Sequence, residues 1–355
     1  MLAATEPPLY VPVLRGHLGE FDALEMMAPA TRSRSYPLIV IVPDVETKPH
    51  EPWRLAERFA TLSQKWEGRI MVDGSRLTDR ETRGDTGLRT VMDAARGPFT
   101  QAVPVVRLKD DAAVRFDAAD AVRQDGNGVA VQVRRDDLFV APALVARQLS
   151  ELLHDVGVQP EQTDLLLDLG YVADDAAAVH GSRLVDRVLS ETSGLARYRT
   201  VVLTAGAFPP DSGTVRPQRL TEVARHDAAL WEYLKARDPE RLPVYGDYAI
   251  THPGFHPPSS GEIRRPSPHL RYTVAARWLV LRGRRDHPRR NAQFYDICQE
   301  ISADDRFCGA GLGPADGRIA DARSFGPGAA KDWIAVGTAH HADFVVDALA
   351  RTGLP

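Results

Sequence analysis

Short apolar runs alternate along this chain with longer stretches whose apolar residues recur every three or four positions. The pairs, each an extended run followed by a helical one, are 10–15 with 19–27, 37–43 with 53–66, 69–73 with 86–96, and 102–107 with 112–124. They continue as 128–134 with 142–156, 164–169 with 182–191, 199–204 with 218–237, and 242–248 with 291–302. Val114, Ala118 and Val122 show the helical spacing, and Pro142 sits where a first helical turn tolerates proline. The stretch 271–282 has β character and reads as a hairpin or one long strand, 309–328 as a glycine-rich connection, and 341–351 as a final amphipathic run.

Continuous runs of Val, Ile and Leu mark strands buried on both faces, which parallel sheets have and half-solvated antiparallel sheets lack. Eight such strands, each followed by a helix, predict a (β/α)8 TIM-type barrel of the α/β class with C-terminal insertions. The plain form takes about 250 residues. The expected organisation is one domain over residues 1–355 with loop insertions at about 252–270 and 303–332. An open doubly wound sheet is the alternative, but no Gly-x-Gly-x-x-Gly follows the first strand, and Gly16-His17-Leu18-Gly19 is too short to stand for one.

Composition narrows the picture. With 355 residues, 43% of them hydrophobic, the chain can bury a large core. A net charge of −4 gives no global field toward nucleic acid or an anionic membrane, so any basic footprint is local. The opening residues lack a basic and apolar leader pattern, and no run of 18 apolar residues occurs. A cytoplasmic protein without membrane partners is expected. Cys298 and Cys308 have no metal or redox spacing and read as free buried thiols.

Barrel enzymes carry their chemistry at the C-terminal ends of the strands, so polar residues that close apolar runs are informative. Here they are Arg15, Asp44, Asp73, Arg107, Asp168 and Asp247. The two-residue period of a strand puts Arg15 with Val11 and Val13, Arg107 with Val103 and Val105, and Asp168 with Asp164 and Leu166. If those faces point inward, carboxylates and guanidiniums converge on one mouth. Oxygen ligands without a His-x-His or His-Glu-x-x-His pattern suit Mg2+ or Mn2+ held by Asp73, Asp168 and Asp247, and such an ion activates water at a phosphodiester. The bland alternative is that each Asp caps the next helix or bonds a turn, and that Arg pairs with it.

Further sequence features bear on ligands. Tyr245, Tyr248 and Tyr272 either stack on a base or pack against loops. Thr204-Ala205-Gly206 stands where barrel phosphate sites often offer backbone N–H groups. Between 282 and 290 five of nine residues are arginine, a solvated loop or a phosphate contact. His340 and His341 precede the last amphipathic run. The pair caps that helix or satisfies a buried carbonyl, or else one of the two, carried to the mouth by the apolar run 333–336, acts as a general acid or base.

Several motifs in order point to a family. Tyr10-Val-Pro-Val-Leu-Arg15 with Gly19-Glu20-Phe21-Asp22-Ala23-Leu24, then Gly246-Asp247-Tyr248-Ala249-Ile250 with His252-Pro253, come first. Arg271-Tyr272-Thr273 with Trp278-Leu279 and Arg282-Gly283, and Gly337-Thr338 with His340-His341 and Phe344-Val345, follow. Together they resemble the beta family proteins, a group named after a satellite-phage beta protein. The likeness spans nearly the whole chain, with Arg15 where the group is expected to carry lysine. It implies a setting on mobile elements and beside phage-defence genes, and no particular reaction.

Two functions stay open at this stage, and whether the chain is an enzyme is not decided. One is a metal-assisted phosphodiester or nucleotide hydrolase whose catalytic residues are Asp73, Asp168, Asp247 and the histidine pair. The other is a non-catalytic sensor, or a subunit that binds a defence-system protein. Either takes an anionic ligand, a nucleotide or nucleic acid, on Arg15, Asp44, Arg107, Tyr248, Arg271 and Arg282.

Overall fold

The computed structural model describes residues 8–42, 55–77, 82, 84–98, 101–210, 215–254 and 267–355. Eleven strands occur among them: β1 Tyr10–Arg15, β2 Leu38–Val40, β3 Ile70–Asp73, β4 Ala102–Arg107, β5 Val129–Arg134, β6 Thr163–Tyr171, β7 Thr200–Gly206, β8 Thr221–Ala224, β9 Val244–Asp247, β10 His269–Val274 and β11 Arg277–Arg282. The first seven and β9 close into a parallel barrel in the order β1-β2-β3-β4-β5-β6-β7-β9, and β9 pairs with both β7 and β1. This is the (β/α)8 TIM-type barrel expected from the alternation.

Register decides which side chains fill the barrel. Parallel partners share a face. Val11, Val13, Leu38, Met71, Val103, Val105, Ala130, Leu166 and Val202 pack together inside it, each almost wholly buried. Burying one such side chain is worth about 1.5–3 kcal/mol, so this plug is a large part of what holds the barrel closed. At the N-terminal end Asp164 also points inward, with both oxygens held by Arg199 at 2.9 and 2.7 Å and one by the Tyr36 hydroxyl at 3.0 Å.

Two expectations are corrected and one open choice is decided. Residues 218–237 are not one helix: they form β8 and then the helix His226–Lys235, and β8 joins β11 and β10 in a three-stranded antiparallel sheet. The stretch 271–282 is a hairpin, which supplies the other two strands of that sheet. The eighth helical position is taken not by 291–302 but by the last helix, Ala330–Thr352. It packs on Leu18–Met26, and its end is tied to the helix His226–Lys235 through Trp231 Nε1 and Lys235 Nζ on the carbonyl of Gly353. A 23-residue helix can span the gap that a 10-residue one leaves.

The stretch 303–332 is less irregular than expected, since it holds the helices Pro314–Ala320 and Ala322–Phe325. The other expected insertion, 252–270, falls largely outside the described residues. Cys298 is a free buried thiol, which burial pushes up to about 12, whereas Cys308 is exposed. Among the described residues no helix is long and apolar enough to cross a membrane.

The last helix lies so close to β10 that a β-carbon on Gly337 would stand 2.9 Å from the Arg271 carbonyl oxygen and 2.9 Å from Ile250 Cδ1. Overpacking of this kind costs about 1–3 kcal/mol, more than the helix preference of Ala over Gly, about 1 kcal/mol, returns. Gly337→Ala should therefore lower the urea midpoint of unfolding. A raised midpoint would mean that helix and strand can part without loss.

Candidate functional site

The C-terminal mouth of the barrel is built from inward-facing strand ends. Asp73 closes β3 and is buried; it accepts from the Ser75 N–H at 2.8 Å and forms a buried ion pair with Arg107 at the end of β4. Burial alone would raise the Asp73 carboxyl, but the charge and hydrogen bond of Arg107, with Ser75, hold it below the ordinary aspartate value. The main-chain N–H of Arg107 donates to Asp110 at 2.8 Å, while its buried Nε has no partner among the described residues.

Asp168, inward on β6, accepts from Gly170 N at 3.0 Å, Gln132 Nε2 at 2.8 Å and the Tyr248 hydroxyl at 2.8 Å. Burial still raises this carboxyl above its ordinary value. Tyr248 can lean over the mouth because Gly206 presents no side chain: a β-carbon there would lie 3.1 Å from Tyr248 Cβ. Gly206 is thus a seat for Tyr248.

Two mouth residues escaped the sequence reading. Gln132 and Arg134 follow Ala130 on the inward face of β5, and Arg134 pairs in register with Asp168. The same two-residue alternation, applied to 128–134, identifies both. Arg134 is exposed at the strand end, and among the described residues its guanidinium has no hydrogen-bonded carboxylate; partial burial and the neighbouring Arg107 lower its pKa, against Asp168 and Asp73. Arg15 reaches the rim from β1 and donates to the carbonyls of His252 and Gly254. Arg271 on β10 grips the same segment through the Ile250 carbonyl and lies 4.1 Å above the Phe208 ring; burial, with Arg15 nearby, lowers its pKa to about 10. Asp44 lies outside the described residues.

Asp247, expected at the mouth, is on the other side of the barrel wall. Gly246 pairs with Thr204 and Val11, both inward, so Asp247 one residue later must face outward. There it accepts from the Tyr10 hydroxyl at 2.6 Å, the Tyr245 hydroxyl at 2.9 Å and the Ala249 N–H at 2.8 Å, and it meets His341 Nε2 at 2.8 Å. Asp73, Asp168 and Asp247 therefore do not converge. Among the described residues no group of three His, Cys, Asp or Glu side chains is placed to hold a metal ion, so the oxygen set expected for Mg2+ or Mn2+ is not assembled there.

His340 and His341 are likewise away from the mouth, because 333–336 and the pair belong to one continuous helix. His340 bridges Asp316 at 2.9 Å and the Thr273 carbonyl at 2.8 Å, stacked on Tyr272. His341 links Asp247 to the Thr273 hydroxyl, 2.8 Å from Nδ1. Hydroxyl, imidazole and carboxylate in this order match a nucleophilic triad. Yet Thr273, His341 and Asp247 are each 0% exposed, so the arrangement has no room for a substrate carbonyl.

Arg225 completes the buried network. Its guanidinium sits 5.7 Å from the centre of the Trp278 ring and contacts the Tyr245 hydroxyl, which also lies 3.1 Å from Asp227. Charges sealed this deeply persist by pairing.

No curated protein matches this chain. Among solved structures it is similar to triosephosphate isomerase from Bartonella henselae, at 10% identity over 67% of this chain and 90% of that one, with a TM-score of 0.34. It is also similar to the carboxyl transferase domain of Rhizobium etli pyruvate carboxylase, at 11% identity over 95% of this chain and 48% of that one, with a TM-score of 0.42. The fold assignment rests on the closed strand order rather than on these likenesses. A family model described as Beta protein matches residues 10–347, and the chain belongs to that family.

Proposed function

We propose that the barrel mouth binds a phosphate-bearing ligand. The observation that carries this reading is Arg134. Asp73 and Asp168 already have their acceptor oxygens occupied, whereas the Arg134 guanidinium stands at the same opening without such a partner among the described residues. An incoming group therefore meets spare donors, and a guanidinium matches phosphate oxygens two at a time. In the phage-defence setting that family likeness implies, the ligand would be a nucleotide or nucleic acid, and the barrel a sensor that reports it to a partner protein.

Titration calorimetry with inorganic phosphate and nucleoside monophosphates tests this. Arg134→Ala should weaken binding by about tenfold, the value of one charge-assisted hydrogen bond, with an unchanged melting temperature because the side chain is exposed. No binding to the wild type, or equal binding by the variant, would reject the mouth as the site.

Hydrolysis is a second reading, favoured by one observation: Asp168, a carboxyl that burial raises above its ordinary value, stands in register with Arg134 at the same opening. Turnover of a bound nucleotide that Asp168→Asn abolishes while binding persists selects the hydrolase. Binding without turnover selects the sensor.

A further inference from the structure

A second cationic opening lies outside the barrel. The turn after β11 and the residues Pro217 and Ser267 enclose a cavity of about 630 Å3, with Arg282, Arg284, Arg285 and His287 among its lining and Asp286 as its acidic group. The turn is built, not slack. Gln293, buried at 5% exposure, accepts from Arg284 N at 2.9 Å and donates to the Arg284 and Arg290 carbonyls, each at 2.9 Å. Arg289 is used locally in an ion pair with Asp296 at 2.6 Å. Arg284 and Arg285 are exposed, and among the described residues neither guanidinium has an ion-pair partner.

Beside this cavity further basic residues lie along the sheet toward the barrel rim, where Arg271 is packed on Phe208 and held by the Ile250 carbonyl. β10 and β11 pair His269 with Arg282, so these two share a sheet face, and Arg271, two residues along, is on that face too. Arg271 and Arg15 in turn hold carbonyls of one segment, Ile250 to Gly254, at the barrel rim. The crowding of positive charge is felt by His269, which burial, with Arg271 and Arg282, lowers to about 4.

We propose that this cavity is a second anion site, taking the phosphodiester backbone of a single-stranded nucleic acid on Arg282, Arg284 and Arg285. The volume suits one or two nucleotides rather than a duplex. Successive phosphates of a strand match arginines spaced along this turn, whereas a single small anion would use only part of them. Among the described residues no Phe, Tyr or Trp lines the cavity, so the expected binding is to the backbone and independent of sequence. The proposal does not rest on the function proposed above; the cavity stands on its own geometry.

The test is fluorescence anisotropy of a labelled oligothymidylate of about 12 nucleotides with the full chain, at several salt concentrations. The double variant Arg284→Ala, Arg285→Ala should bind about tenfold more weakly near 0.15 M salt. The slope of log affinity against log salt should fall in magnitude by about 1.4, at about 0.7 for each phosphate that the variant no longer neutralises. Mononucleotide binding should be unchanged in that variant and weakened only by Arg134→Ala, so failure of the mouth reading and failure of the cavity reading give different results. Oligonucleotide affinity and slope unaltered by the double variant would overturn the proposal. So would displacement of the oligonucleotide by polyglutamate at equal charge, which would show that any polyanion suffices.

Discussion

Asp247→Ala should lower the free energy of unfolding by about 3–5 kcal/mol, read from the urea midpoint, because it strips a buried network of its central acceptor. Four groups converge on this carboxylate: two tyrosine hydroxyls, a main-chain N–H and the His341 ring. None is exposed to water that might replace the missing partner, and Arg225, 3.9 Å away, keeps its charge. A cost under 1 kcal/mol would mean that the network is dispensable to the fold.

The pH dependence has a definite sign. Burial by itself would raise the Asp247 carboxyl, but the His341 ring, Arg225 and the Tyr10 hydroxyl outweigh it and hold the group at about 2, against 3.8 ordinarily. A folded-state value below the unfolded one stabilises above the unfolded value and is lost as pH falls through the folded one. Wild type should therefore lose about 2 kcal/mol from this group between pH 4 and pH 2, and Asp247→Ala should lack that component.

Arg107→Ala should cost a similar 3–5 kcal/mol, since it leaves Asp73 charged and buried without its cation. Replacing both partners by apolar residues of similar volume should recover much of the stability, as the desolvation of two charges then disappears. The sign is again fixed by direction. Asp73 is held below its ordinary value in the intact pair, so the pair stabilises above that value and fades on acidification. In Arg107→Ala burial is opposed only by the Ser75 hydrogen bonds, the carboxyl rises, and the stability gap from wild type should narrow as pH falls. A gap constant with pH would show that the cost comes from poorer packing rather than an orphaned charge.

Much of the architecture was legible because it rests on local regularities. Apolar strand runs buried on both faces, each followed by a helical period, specify a parallel α/β alternation, and eight repeats close a barrel. The same two-residue period placed Arg15, Arg107 and Asp168 on inward faces, and it contained Gln132, Arg134 and Tyr248 as well. Where the strand's last residue was taken in place of its parity, at Asp247, the position came out one residue from the inward face.

What the chain determined by itself, then, was the order of elements, their parity and the supply of charge at the strand ends. The tertiary structure alone decided three things. It paired β8 with β11 across some 50 residues of chain, brought the last helix into the eighth place, and closed Asp247, His340, His341 and Thr273 into a sealed network. Each depends on contacts between segments far apart in sequence, and no local periodicity records which distant segment will supply the partner for a buried charge or strand edge.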